Sequence, residues 1–272
     1  MHIPKRSNQL DVGLSVQDLV VWIESLEDTS ESHSQNIIKF NDAIYDLIQY
    51  ENESSDLLLT KLQSSSNRWI LWGAIWVLSA TRIADAIEPI WSIYKKTHDL
   101  GIEHYCLEAL SILGDERVLQ VAEDLTIQGR NSLCISILNN LGDKKGLYLL
   151  EQLLRDANFL IQEAVRLHET ISKYDEFNTM LPEAKVKLRE KLMIIQALSR
   201  IGGEESIKLL SNIIEEDHVY VQQLSKAHRL KVNAIYALSR IDHPKVKPIL
   251  ERAKTHKQYG IRNASRKLSK QM

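Results

Sequence analysis

Three tryptophans, Trp69, Trp72 and Trp76, stand at i, i+3 and i+7, a spacing that sets their indoles on one face of an α-helix. Indoles so arranged either fill a core or stay open as aromatic anchors for a partner. The same segment carries Ile70, Ala74 and Val77 on its other side, so it is apolar all round and both readings stand. Other chemistry-bearing residues are sparser. Asp42 and Asp46 are i, i+4 carboxylates, which acid–base work can use and which solvated helix faces also show. His104 and Cys106 are two apart and point in different directions on a helix, a poor pair for a metal. His168 could carry a proton or a ligand, or sit satisfied in a core. No HExxH, paired CxxC, zinc spacing, GxSxG or Gly-rich phosphate loop occurs, so no catalytic residue, metal site or cofactor is expected.

The elements that position these residues follow from composition and repetition. The 272 residues are 44% hydrophobic with ten Gly and five Pro, which suits helices better than a many-turned β-protein. Cys106 and Cys134 are too few for a disulfide framework and lie in apolar helical segments, which fits a reducing cytoplasm. Lys5 and Arg6 are followed by no apolar run, and the longest apolar stretch, Trp69 to Ala80, is too short to span a bilayer.

Net charge is −2, which implies no general attraction to nucleic acid or membrane. Its distribution is uneven. Residues 11–60 carry eleven acids against Lys39 alone, and residues 240–272 carry ten Lys or Arg against Asp242 and Glu251.

One phrase recurs. Ala109-Leu110-Ser111-Ile112-Leu113-Gly114-Asp115, Leu138-Asn139-Asn140-Leu141-Gly142-Asp143, Ala197-Leu198-Ser199-Arg200-Ile201-Gly202 and Ala237-Leu238-Ser239-Arg240-Ile241-Asp242 each read as a helix end. Taking its second residue as a marker and extrapolating gives Ile48, Leu78, Leu110, Leu138, His168, Leu198, Leu238 and Leu268, a period near thirty with one longer step. Such a period holds one helical hairpin. Positions eight, four and one before each marker are mostly apolar, with small residues in the middle place, and Gly114, Gly142 and Gly202 suit left-handed C-caps. His168 stands where other repeats have Leu or Ile, so a one-residue slip onto Leu167 is an alternative register. Ser15 and Asp18 form a plausible capping pair ahead of an apolar stripe from Val16 to Leu26. The organisation expected is a flexible extension over 1–14, acidic helices over 15–66, and repeats over 67–272. Within the repeats a loop falls near 174–182, an insertion near 215–226, and a basic cap at the C-terminus.

With its Ala-Leu pair and terminal Ile-Gly or Leu-Gly-Asp, this phrase resembles the HEAT-like repeats first associated with phycobilisome bilin lyases, over residues 55–270. The resemblance implies an all-α fold, a right-handed α-solenoid of about 7–8 antiparallel helix pairs. It departs from that family where an Arg often follows the first apolar position of the second helix, since Glu103, Asn131 and Ile161 stand there. In such arrays the second helix of each pair lines a concave binding face. The resemblance then turns positions six and two before each marker outward: Asp42, Asp46, Trp72, Trp76, His104, Glu108, Gln162, Arg166, Gln196, Tyr236, Arg262 and Arg266, with Ser132, Ser136, Leu192 and Val232 between them. That face runs from acidic through aromatic and polar to basic.

The function expected is a non-catalytic, cytoplasmic scaffold that grips a protein or peptide on its concave face, in a regulatory or toxin-neutralising role. Two alternatives come from the resemblance: a bilin-lyase-like enzyme handling a tetrapyrrole, and a nucleic-acid binder related to the HEAT-like alkylpurine DNA glycosylases. Arg166 is the only cation in the middle of the stripe, which weighs against nucleic acid.

Overall fold

Helices form here because strong helix formers are bounded by explicit start and stop signals. The structure is a computed structural model and describes residues 14–26, 33–168, 174–215 and 227–268. Those residues are all-helical, with no strand among them. Ser15 and Asp18 make the expected reciprocal capping box at the start of α1 (Val16–Glu24). The Asn67 side chain accepts from Trp69 N and Ile70 N at the start of α4 (Arg68–Ala80), and Asp99 accepts from Gly101 N and Ile102 N at the start of α6 (Leu100–Leu113). Each such cap satisfies orphan backbone donors and contributes about 1 kcal/mol. Helix ends obey the sequence as well: Gly114, Gly142 and Gly202 adopt φ of 83°, 62° and 67°, a backbone that a Cβ disfavours.

Two compact units divide the chain, residues 1–118 and 119–272. In the first, α2 (His33–Gln49), α3 (Glu51–Ser64) and α5 (Ile87–Lys96) join α1, α4 and α6. The second holds α7 (Val118–Ile127, whose first residue closes the first unit), α8 (Asn131–Leu141), α9 (Leu147–His168), α10 (Tyr174–Ile201), α11 (Gly203–Glu215), α12 (Ala227–Ser239), α13 (Val246–Ala253) and α14 (Tyr259–Leu268). Even-numbered helices pack in succession within each unit, α2 on α4 on α6 and α8 on α10 on α12 on α14. These helices end on markers, as does α9, whose last residue is His168. Their middle-register residues, Ile44, Ala74, Cys106, Cys134, Ile194, Ala234 and Ala264, are all buried, and the small ones among them let neighbouring helices approach.

In the first unit, α4 is the centre. It contacts α1, α2, α3 and α6, so a helix that is apolar all round meets neighbours on several sides. Gly73 sets the α2–α4 approach: a Cβ there would lie 3.1 Å from Ile44 Cδ1 and 3.4 Å from Phe40 Cε2.

Two expectations are corrected in the second unit. Residues 174–182, rich in turn-forming types, are not a loop but the first turns of α10, which runs through Pro182. That proline removes its own N–H from the ladder and crowds the carbonyl four residues earlier, a cost of about 3 kcal/mol, and the Glu-, Ala-, Lys- and Leu-rich run behind it propagates the helix. Likewise no hairpin closes on His168, because α9 is one continuous helix of 22 residues. It packs along α10 as a single long hairpin, so residues between the Leu138 and Leu198 markers hold one long repeat in place of two short ones. The expected extension over 1–13 and insertion over 216–226 lie outside the described residues.

The Gly73 approach yields a stability prediction. Gly73→Leu must push α2 from α4 and should cost about 1–3 kcal/mol in urea unfolding. An unchanged midpoint would mean that the two helices do not meet at this point.

Candidate functional site

In the first unit the tryptophan spacing answers both readings at once. Trp69 is core, 5% exposed, and Phe40 beneath it is fully buried. Trp72 and Trp76 are half-buried. Trp72 is the hub of the ring cluster, with centroids 4.6 Å from Phe40, 5.4 Å from Trp69, 6.1 Å from Trp76 and 4.9 Å from Tyr105 on α6, the last two near-parallel. Offset contacts of this kind add about 0.5–1.5 kcal/mol each to the burial term. They also hold Trp72 in one orientation, backed by Phe40 and clamped between α4 and α6. The indole N–H groups of Trp72 and Trp76 are shielded and meet no acceptor among the described residues.

Beside this cluster lies a cleft of about 290 Å³, lined by Ile37, Arg68, Trp69, Trp72, Gly101, Ile102 and Tyr105. One carboxylate shapes its mouth. Asp99 Oδ1 accepts from Gly101 N at 2.7 Å and Ile102 N at 3.1 Å, while Oδ2 lies 3.1 Å from Arg68 Nε. Gly101 leaves room for the guanidinium, since a Cβ there would come within 3.2 Å of Arg68 Nη2. Burial raises the Tyr105 pKa, with Glu108 adding to the rise and Arg68 opposing it, so the phenol keeps its proton. His104 stacks edge-on against Tyr105 and lies 3.7 Å from Glu108. Cys106 is fully buried while His104 is not, and the helix separates the two as their spacing implies.

Not every expected outward residue is outward. Asp42 is completely buried, because α2 is packed against α1, α3 and α4 and its register has no free side there. Asp46 is half-buried. Trp91 belongs to a separate cluster, 5.2 Å from Tyr94 and under the guanidinium of Arg117 at 4.5 Å, which is held in turn by Glu88 and Asp115.

In the second unit Gln162, Gln196 and Tyr236 are exposed. Gln196 and Tyr236 share a groove of about 240 Å³ between α10 and α12, with Leu192, Ser199, Asn233 and Arg240. Arg262 is committed elsewhere: its Nη1 donates to His256 O at 2.8 Å and Lys257 O at 2.7 Å, so it ties down the turn before α14 and is not a free contact. Arg266 is exposed. The side chains of Arg166 and His168 lie outside the described residues.

The sequence reading misses Tyr105, one residue from the outward His104, whereas Phe40 stands eight before the Ile48 marker, in the core register, and is buried as that register implies. It also misses Lys191 and Lys231. Both stand seven residues before their markers, the register where Glu103, Asn131 and Ile161 depart from the repeat pattern, and both are 1% exposed. Lys191 Nζ donates to Asn158 Oδ1 at 2.5 Å across α9 and α10. A buried ammonium needs such acceptors, so these lysines are structural, and comparing that register across all markers would have found them.

Among the described residues no group of three or more His, Cys, Asp or Glu is placed to hold a metal ion, and no helix is long and apolar enough to cross a membrane. No family model matches the chain, and no curated protein matches it. Among solved structures it is similar to human deoxyhypusine hydroxylase in complex with glycerol, at 13% identity over 94% of each chain with a TM-score of 0.33, a likeness too slight to carry a functional statement.

Burial removes the two thiols from chemistry. It pushes both Cys106 and Cys134 up to about 12, with Glu103 adding to the shift at Cys106. Neither thiol should react with a disulfide reagent at pH 8 until urea unfolds the chain, whereupon both should react. Fast labelling of the native protein would place a cysteine at the surface.

Proposed function

We propose that the chain is a right-handed α-solenoid of HEAT-like helix pairs that works as a non-catalytic protein-binding scaffold, gripping a protein or peptide partner on its second-helix surface. A regulatory or toxin-neutralising role falls within this class.

The observation that carries the reading is the half-buried Trp72–Trp76–Tyr105 ring stack beside its cleft. Rings held by Phe40 and Trp69 from behind lose little conformational freedom when a partner covers them. Large rigid aromatics in such a setting are the residue types that dominate interface energetics. Arg68, fixed by Asp99 at the rim, supplies a polar contact that sets orientation. The surroundings support binding over catalysis, because the titratable groups beside the rings are the Arg68–Asp99 pair, His104 beside Glu108 and a phenol that stays protonated, with no nucleophile among them.

Affinity capture from the source proteome, followed by titration of whichever protein is retained, tests this. Trp72→Ala with Trp76→Ala should weaken that complex by at least about 2 kcal/mol, roughly thirtyfold, while far-UV circular dichroism stays unchanged. A partner bound equally by the double variant would remove these tryptophans as anchors.

A further inference from the structure

The ring cluster of the first unit takes a preferred sign of charge from its surroundings. The indole N–H groups of Trp72 and Trp76 are shielded, so what a partner reaches of these half-buried rings is π surface and not a donor. Such surface attracts a cation, on Trp most strongly. The same unit shows this at Trp91, where Lys95 Nζ lies 5.1 Å and the Arg117 guanidinium 4.5 Å from the ring centroid. Over Trp72, Trp76 and Tyr105 no cation lies among the described residues.

Arg68 meets Asp99 and Trp72 meets Tyr105, so α4 and α6 run parallel, with Trp76 and Glu108 about one turn further on. Glu108 is close enough for its charge to bear on the Tyr105 phenol. Asp46 stands in the same register, two residues before its marker, on α2, a further neighbour of α4. Together α2, α4 and α6 carry Asp42, Asp46, Glu103 and Glu108 against Lys39 and Arg68. None of the three has a basic residue in its last turn, so their C-terminal dipole ends add negative potential on the Trp76 side. A bland account gives Glu108 to His104, 3.7 Å away, but one imidazole does not offset two carboxylates.

We propose that the Trp76 end of this cluster binds a basic segment of a partner protein, one arginine or lysine lying over the indole with its charge toward Glu108 and Asp46. The inference rests on the scaffold reading above and gives the partner segment its chemistry. At the opposite end Arg68 and Asp99 offset each other, so the basic residue selects the Trp76 end and sets the direction in which the segment lies.

The test uses the full chain and a fluorescein-labelled peptide of Arg-Gly-Ser repeats, followed by anisotropy. Saturable binding is expected, weakening as salt rises, and the same peptide with citrulline in place of Arg should not bind, because it keeps the shape and loses the charge. Glu108→Gln should weaken binding at least about fivefold, and Trp76→Leu should do the same although it removes no charge. Trp76→Phe should fall between Trp76→Leu and the parent; it keeps a ring in the cluster and so separates loss of the indole face from loss of fold. Asp56→Asn, at an exposed acid on α3, should leave binding unchanged. Absence of saturable binding, equal binding by Trp76→Leu or Glu108→Gln, binding of the citrulline peptide, or tighter binding of a matching Glu peptide would each overturn the proposal. If the Arg peptide fails while capture through Trp72 and Trp76 persists, the basic segment is wrong and the scaffold stands; if both fail, the scaffold reading falls with it.

Discussion

A helix of ten to fourteen residues is marginal in water by itself, so most helices of this chain depend on neighbours to cover an apolar stripe. That dependence is sharpest at α4, whose 13 residues include eight buried ones and contacts to four other helices. Its Gly73 and Ala74 leave room for α2 and α6 to close in, and its remaining side must then hold three indoles that no small residue can replace without a void. The aromatic cluster is thus not an ornament on a finished fold. Trp69 is spent on the core, and Trp72 and Trp76 lie where burial runs out.

The same constraint accounts for how the chemistry is distributed. Groups that end up buried are inert: Cys106 and Cys134 are thiols on the stripe, and Lys191 and Lys231, one residue off it, are ammonium groups that burial obliges to find acceptors. Other groups off the stripe remain available, among them Tyr105, Gln196, Tyr236 and Arg240. A repeat therefore offers similar sites on successive helices, and the residue types at those sites decide what each can bind. In the first unit they are rings beside an Arg68 paired with Asp99; in the second they are amides, a phenol and the guanidinium of Arg240.

Much of this was legible in the residues. The Ser15–Asp18 box, the left-handed glycines after α6, α8 and α10, and the buried middle register all follow local rules that need no knowledge of the neighbours. Where the reading fails, tertiary context decides. Asp42 shares a register with Trp72, yet α2 is packed on more sides than its own sequence reveals. Pro182 and the polar residues before it look like a loop until the helical run behind them is allowed to extend backward. Arg262 reads as a surface cation and is in fact tied to backbone carbonyls ahead of its helix. The division between core and anchor within one tryptophan triplet was beyond periodicity, because a helix apolar on all sides does not say which side its neighbours leave uncovered.

The claim on which the binding account rests is that Trp72 and Trp76 are partly open to solvent while Trp69 is not. Acrylamide quenching of variants that keep one of these three indoles, the remaining tryptophans being replaced by Phe, measures it directly. The account predicts Stern–Volmer constants for Trp72 and Trp76 that lie clearly above that of Trp69 and below that of free tryptophan amide. Equal, low constants for all three would make the cluster pure core and contradict the account.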